Sequence, residues 1–206
     1  MARPMGPRFK QSRRFGVNIF GHPKELKRGP KTNQKLSEYG KQLLEKQKLK
    51  AYYGLSEKQM RKYMVQAIKE SRKSDRITGD ILVSLIERRL DNMVYRLGFA
   101  KSLRQARQMV VHGHIRVNGN KVDIPSYIVS VGDEISLRER SRSVDLFKDN
   151  IASTMITLPY LTRDDEKINS HYFTSSFHLN AHFTINPSEF VKRPSWDFYK
   201  KSLGFT

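Results

Sequence analysis

The sequence predicts an α+β protein: a helical N-terminal domain, then an inserted module of two short helices plus a small antiparallel sheet. Apolar residues between positions 36 and 110 recur at three- to five-residue steps, the period of helices with one buried face. After residue 114 the pattern changes to short runs broken by Asn118-Gly119, Pro125 and Gly132-Asp133, the punctuation of strands and turns. A chain of 206 residues is long enough for one or two domains, each with its own core.

Residues 1–36 read as a basic extended arm. They hold Pro4, Pro7, Pro23 and Pro30 with little periodicity, and are expected to be largely irregular without a partner that supplies counter-charge. The helical domain, 37–79, begins at Ser37, with Leu36, Tyr39, Leu43, Leu44 and Leu49 as its first apolar stripe and Gly54 as a stop. Ser56 with Gln59 forms a capping box that opens a second helix, whose buried stripe is Met60, Tyr63, Met64, Ala67 and Ile68. The segment SRKSDRITGD interrupts the pattern and reads as a linker.

The module spans 80–142. One long helix is expected over about 80–97, burying Ile81, Leu82, Leu85, Ile86, Leu90, Met93, Val94 and Leu97 and ending at Gly98. Ser102 and Gln105 read as another capping box, with Leu103, Ala106, Met109 and Val110 facing inward and Gly113 ending the helix. A strand at 115–117 turns through Asn118-Gly119, a pair suited to positive φ, into a return strand at 122–124. Strands at 127–131 and 134–137 are expected across the Gly132-Asp133 turn. In the extension, 143–206, SVDLFKDNIA suits a helix, and TLPYL and HYFTSSFHLNAHF alternate weakly like strands. The aromatic ending SEFVKRPSWDFYKKSLGFT is expected to dock back onto the body.

Charge narrows the function. The net charge is +19, with +11 in residues 1–50, +7 in 51–150 and only +1 in 151–206. A one-signed excess of this size attracts polyanions, either nucleic acid or an anionic membrane surface, although a charge run can also be a merely solvated face. No apolar run is long enough to span a bilayer, and MARPMGPRFKQSRRFG lacks the apolar stretch of a secretory signal. The absence of cysteine excludes disulfides and thiolate zinc sites and fits a reducing cytosol.

The helix SLRQARQMVVHGH sets Arg104, Gln105, Arg107 and Gln108 opposite its apolar stripe, beside Lys101. Guanidinium forks match phosphate oxygens or base edges, and Gln offers both a donor and an acceptor. His112, His114, Arg116, Asn118 and Lys121 continue this face onto the hairpin, which favours RNA contact over an ordinary polar helix surface. Arg104 and Arg107 are expected to be removable without harm to the core. His112 and His114 lack an evident third ligand, so no metal site is expected. Asp91, between Arg89 and Asn92, suits structural hydrogen bonding better than catalysis, and Tyr39, Tyr52, Tyr53 and Tyr63 suit core packing better than base stacking. There is no serine nucleophile elbow, Walker loop or paired catalytic carboxylates, so no enzyme, cofactor or small-molecule substrate is expected.

The segment RLDNMVYRLGFAKSLRQARQMVVHGHIRVNGNKVDIPSY resembles the RNA-binding module named after bacterial small-subunit ribosomal protein four. GPRFKQSRRFG and KLSEYGKQLLEKQKLKAYYGLSEKQMRKY resemble the N-terminal helical region of that family, so the likeness runs over residues 1–150. It implies a structural protein of the small ribosomal subunit in the cytoplasm. Such a protein binds 16S ribosomal RNA early in assembly at a junction of several helices. It would lie near the channel by which messenger RNA enters, beside small-subunit proteins three and five, and members of the family can also repress translation of their own messenger. By position, Lys10, Arg13, Arg14, Lys46, Lys48 and Lys50 join the RNA-binding set. Phe9 and Ser12 stand where many members have a zinc-binding Cys-x-x-Cys, which implies a zinc-free form; the ending Trp196-Asp197-Phe198-Tyr199-Lys200 matches the family loosely. A free RNA chaperone and an RNA-modifying factor are the other classes that carry such a module.

Overall fold

The computed structural model describes residues 7–22, 24–29 and 36–153. The strand-like segments and aromatic ending expected beyond residue 153 lie outside them. The chain divides into two compact units that meet between Asp80 and Ile81.

In the first unit, the arm carries a helix, α1 (Arg8–Phe15), where irregular chain was expected. No proline falls between residues 8 and 22, and Arg, Lys and Gln are good helix formers, so the run up to Gly16 can close. The turn that follows folds back on itself. Glu25 is buried and its carboxylate accepts the Phe20 amide, while Arg13 Nε donates to the Gly29 carbonyl at 3.3 Å.

Helix α2 (Glu38–Tyr52) starts where Ser37 Oγ accepts the Gly40 amide. Its apolar residues do not form the single stripe expected: Leu49 is buried, but Leu36, Tyr39 and Leu43 are 42%, 51% and 38% exposed. Leu49 lies thirteen positions beyond Leu36, which at 3.6 residues per turn is roughly 220° around the helix. The set therefore divides between two faces. Helix α3 (Glu57–Ser71) opens with a complete capping box between Ser56 and Gln59, and buries Met60, Tyr63, Met64, Ala67 and Ile68 as expected. Of the tyrosines, Tyr53 and Tyr63 are buried, Tyr52 is half-buried and Tyr39 is exposed.

The expected long helix is two helices, α4 (Thr78–Glu87) and α5 (Leu90–Arg96). Arg89 between them is extended (φ −65°, ψ 139°) and bridges Ile128 in β fashion. The Leu90 amide donates to the Tyr127 carbonyl and the Val129 amide to the Arg88 carbonyl, both at 2.8 Å. A chain segment some forty residues away thus takes hydrogen bonds that a continuous helix would have kept internal.

Helix α6 (Leu103–Val111) pairs with α5. Strands β1 (Ile115–Val117), β2 (Asn120–Lys121) and β3 (Ile135–Leu137) form an antiparallel sheet of order β2-β1-β3, with Arg116 opposite Lys121 on one side and Ser136 on the other. Asn118 (φ 50°) and Gly119 (φ 77°) make the tight turn expected of that dipeptide. The return strand ends at Lys121, before the segment expected to form it. The 127–131 strand reduces to the bridge at Ile128, and 134–137 pairs with β1 instead. Pairing with β1 places Ile135 and Leu137 on the core face, which a hairpin with 127–131 would not have required.

Short helices α7 (Glu139–Arg142) and α8 (Asp145–Ser153) follow. Phe147 of α8 enters the same core as Leu90, Val94, Leu97, Val110, Ile115 and Leu137, and Asn150 Nδ2 donates to the Phe99 carbonyl at 2.9 Å. Residues 145–153 therefore pack as part of this unit.

Candidate nucleic-acid interface

Helix α6 is the centre of the predicted face, and its helical period sorts its polar residues. Ala106, Met109 and Val110 are buried, Leu103 is half-buried, and Arg104, Gln108 and His112 are exposed on the opposite side. Ser102 Oγ accepts the Gln105 amide, but Gln105 Oε1 accepts from Lys101 N at 2.9 Å and not from Ser102. The expected reciprocal box is thus shifted by one residue. Gln105 ties down the helix start, and the Lys101 side chain remains exposed.

Arg107 differs from Arg104. Its Nε and Nη2 donate to Asp91 Oδ2 at 3.0 and 2.8 Å, while Arg89 Nε and Nη2 donate to Oδ1 and Oδ2 at 3.0 and 2.8 Å. Asp91 and Arg89 are 1% exposed, and Arg107 retains 22%. Asp91 is thus the shared anion of a buried network that locks α6 onto the start of α5, the structural role read for it. Arg107 belongs to that lock, so the expectation that it can be removed harmlessly is corrected. A neighbouring cluster joins the Asn92 amide group, Glu87 and Arg96.

At the far end of α6, His114 Nδ1 lies 2.9 Å from Ser141 Oγ and its ring packs on Phe147. Its pKa is held below the ordinary imidazole value of 6.5 by burial, and further by the neighbouring His112 and Arg138. Gly113 has φ +71°, and a Cβ there would sit 2.6 Å from Lys121 Cε, so the lysine stem lies directly across the glycine. This brings the exposed Lys121 beside the two histidines. Arg116 is half-exposed and lies 3.9 Å from Glu139.

Asn118 does not offer its amide outward. It donates to Asp133 Oδ1 at 2.9 Å and accepts the Glu134 amide at 2.8 Å, pinning the hairpin to the approach of β3. Two cations that sequence reasoning missed, Arg138 and Arg140, are exposed, and the Arg138 amide donates to the His114 carbonyl at 2.8 Å. The signal available was the alternation Arg138-Glu139-Arg140 directly after an apolar strand. The outward set of this unit therefore includes Lys101, Arg104, Gln108, His112, Lys121, Arg138 and Arg140. Among the described residues no group of three or more His, Asp or Glu is placed to hold a metal.

In the first unit, Lys10 and Arg14 are exposed on α1, and Arg13 is turned inward to Gly29. The α2 lysines are engaged by acids: Lys46 and Lys50 with Glu57, and Lys48 with Glu45 at 2.8 Å. Burial alone would raise the pKa of Glu57, but the two ammonium groups outweigh it and hold the carboxyl below its usual 4.5. These contacts are at the surface, where such pairs are weak, about 0–1 kcal/mol each.

The family model described as "Ribosomal protein S4/S9 N-terminal domain" matches residues 3–87, and that described as "S4 domain" matches 88–135. The chain is 59% identical over 166 residues to small ribosomal subunit protein uS4B of Clostridium acetobutylicum, covering 81% of this chain and 84% of that one. It is 56% identical over 170 residues to uS4 of Finegoldia magna, covering 80% and 85%. With uS4 of Streptococcus thermophilus it shares 46% identity over 211 aligned positions, 98% of this chain and all of the other. Two contiguous domain matches and identities well above 30% over most of the chain leave one assignment: it belongs to the uS4 family of small ribosomal subunit proteins, structural components and not enzymes.

Proposed function

We propose that the chain is an RNA-binding structural protein of the small ribosomal subunit in the cytoplasm, and that it binds 16S ribosomal RNA directly. The observation that carries this is the outward set on α6 and the hairpin. Lys101, Arg104, Gln108, His112, Lys121 and Arg138 are exposed over a close-packed core, while the adjacent Arg89 and Arg107 are consumed in holding that core together. Exposed cations over a packed core are the arrangement that positions a protein on folded RNA.

Early binding during assembly, at a junction of several RNA helices, is supported by the charge, since a +19 chain associates with RNA without a protein already in place. A position near the channel by which messenger RNA enters, beside small-subunit proteins three and five, belongs to the same proposal and rests on membership of the family. The same face would engage a messenger leader of similar shape and so repress its own translation.

Sedimentation tests the reading. The protein should remain stoichiometric with small subunits after a high-salt wash, and should bind a protein-free 16S transcript unaided. Release into the supernatant, or binding only after other proteins are added, would overturn it.

A further inference from the structure

We infer that the outer face of α3 is a second RNA-binding surface, one that grips phosphates without reading sequence; the inference rests on the RNA-binding reading above. At about 100° per residue, Lys58, Arg61, Lys62 and Lys69 lie within roughly 60° of one line along the helix, opposite Met60, Met64 and Ala67, and Arg72 at the C-cap and Lys73 in the turn beyond follow them. All six are exposed, and among the described residues none takes part in an ion pair or a side-chain hydrogen bond. This is the reverse of α2, whose Lys41, Lys46, Lys48 and Lys50 each meet a carboxylate.

Helix stability does not explain the stripe. Lys69, Arg72 and Lys73 at the C-terminal end complement the helix dipole, but Lys58 stands in its first turn, where a cation is mildly unfavourable, and Arg61 and Lys62 gain nothing from it. A membrane surface is a poorer fit, because an interfacial helix must present its apolar face and the apolar face of α3 is buried. Along the helix the stripe runs roughly 16 Å from Lys58 to Lys69, with Arg72 and Lys73 beyond it, enough to follow several phosphates. It contains no Asn, aromatic or His; Gln66 at its edge donates to Glu70 at 2.9 Å. Four of the six are lysines, which meet phosphate as point charges, so the row is built chiefly for backbone contact.

The test replaces Lys62, Lys69, Arg72 and Lys73 with Gln in the full chain, a change that keeps helix propensity. Binding to a 16S transcript and to a scrambled RNA of equal length is measured between 50 and 200 mM salt, with circular dichroism as the folding control. Each lost phosphate contact should remove roughly 0.7–0.9 from the slope of log affinity against log salt, so the slope should fall by about 3. At 100 mM salt, affinity should drop about 10- to 100-fold for both RNAs, with the preference between them unchanged. Replacing Lys46, Lys48 and Lys50 with Gln should move the slope by less than about 1. The inference is overturned if the α3 variant keeps its slope, if the α2 variant shifts as much, or if the variant loses only binding to phosphatidylserine vesicles. A parent protein that binds neither RNA would overturn the RNA-binding reading itself.

Discussion

Replacing Asp91 with Asn should destabilise the second unit far more than any change on its outer face. The substitution keeps the shape of the side chain and removes one charge. Arg89, 1% exposed, then loses the carboxylate that accepts from its Nε and Nη2, and the amide oxygen cannot replace two carboxylate oxygens that accept from Arg89, Arg107 and the Asn92 amide together. Breaking a buried ion pair in this way costs about 3–5 kcal/mol. Removing Arg107 instead leaves the Arg89–Asp91 pair intact and takes away two charge-assisted bonds from a side chain that still touches water, a loss of about 1–3 kcal/mol. In the Asp91→Asn background, Arg107→Ala should cost less than in the parent, because the carboxylate it shares with Arg89 is already gone. The cycle should thus return a coupling of about 1–3 kcal/mol. Urea unfolding followed by circular dichroism gives the energies, and hydrogen exchange at the α6 amides assigns them to this unit. An Asn variant within about 1 kcal/mol of the parent, or strictly additive effects, would refute the shared-anion network.

Three further outcomes are expected. Arg104→Ala should leave stability within about 1 kcal/mol of the parent while weakening RNA binding by about 1–3 kcal/mol if it meets a base, less if it meets only phosphate; filter binding and thermal melts together decide this. His114 has a folded-state pKa below 6.5, so the unfolded chain binds the extra proton and the unit should lose stability as pH falls below that value. His114→Gln should flatten that dependence in melts between pH 7.5 and 5. Gly113→Ala forces a positive φ on a residue with a Cβ and costs about 1–2 kcal/mol. It should also push the Lys121 stem aside, so RNA affinity falls with stability; an unchanged melt would show that φ at 113 is not constrained.

Local pattern determined much of this protein. The capping box at Ser56, the apolar stripe of α3, the turn at Asn118-Gly119 and the start of α2 at Ser37 depend on neighbours within four residues, so sequence spacing alone specified them. Net charge and the segments on either side of residue 87 determined the family in the same way. The break at Arg88 and Arg89 was not legible, because the partners that cause it, Tyr127 and Val129, arrive from about forty residues away. Nor was the sorting of the cations. Arg104 and Arg107 read alike in sequence, yet one faces outward and the other binds Asp91 sixteen positions earlier. The lysines of α2 and α3 divide likewise, according to whether a carboxylate has been folded next to them. Sequence therefore set the sign and amount of charge, since these are sums over residues. Which charges can meet RNA was decided only by the tertiary structure, since an ion pair depends on distance in space and not along the chain.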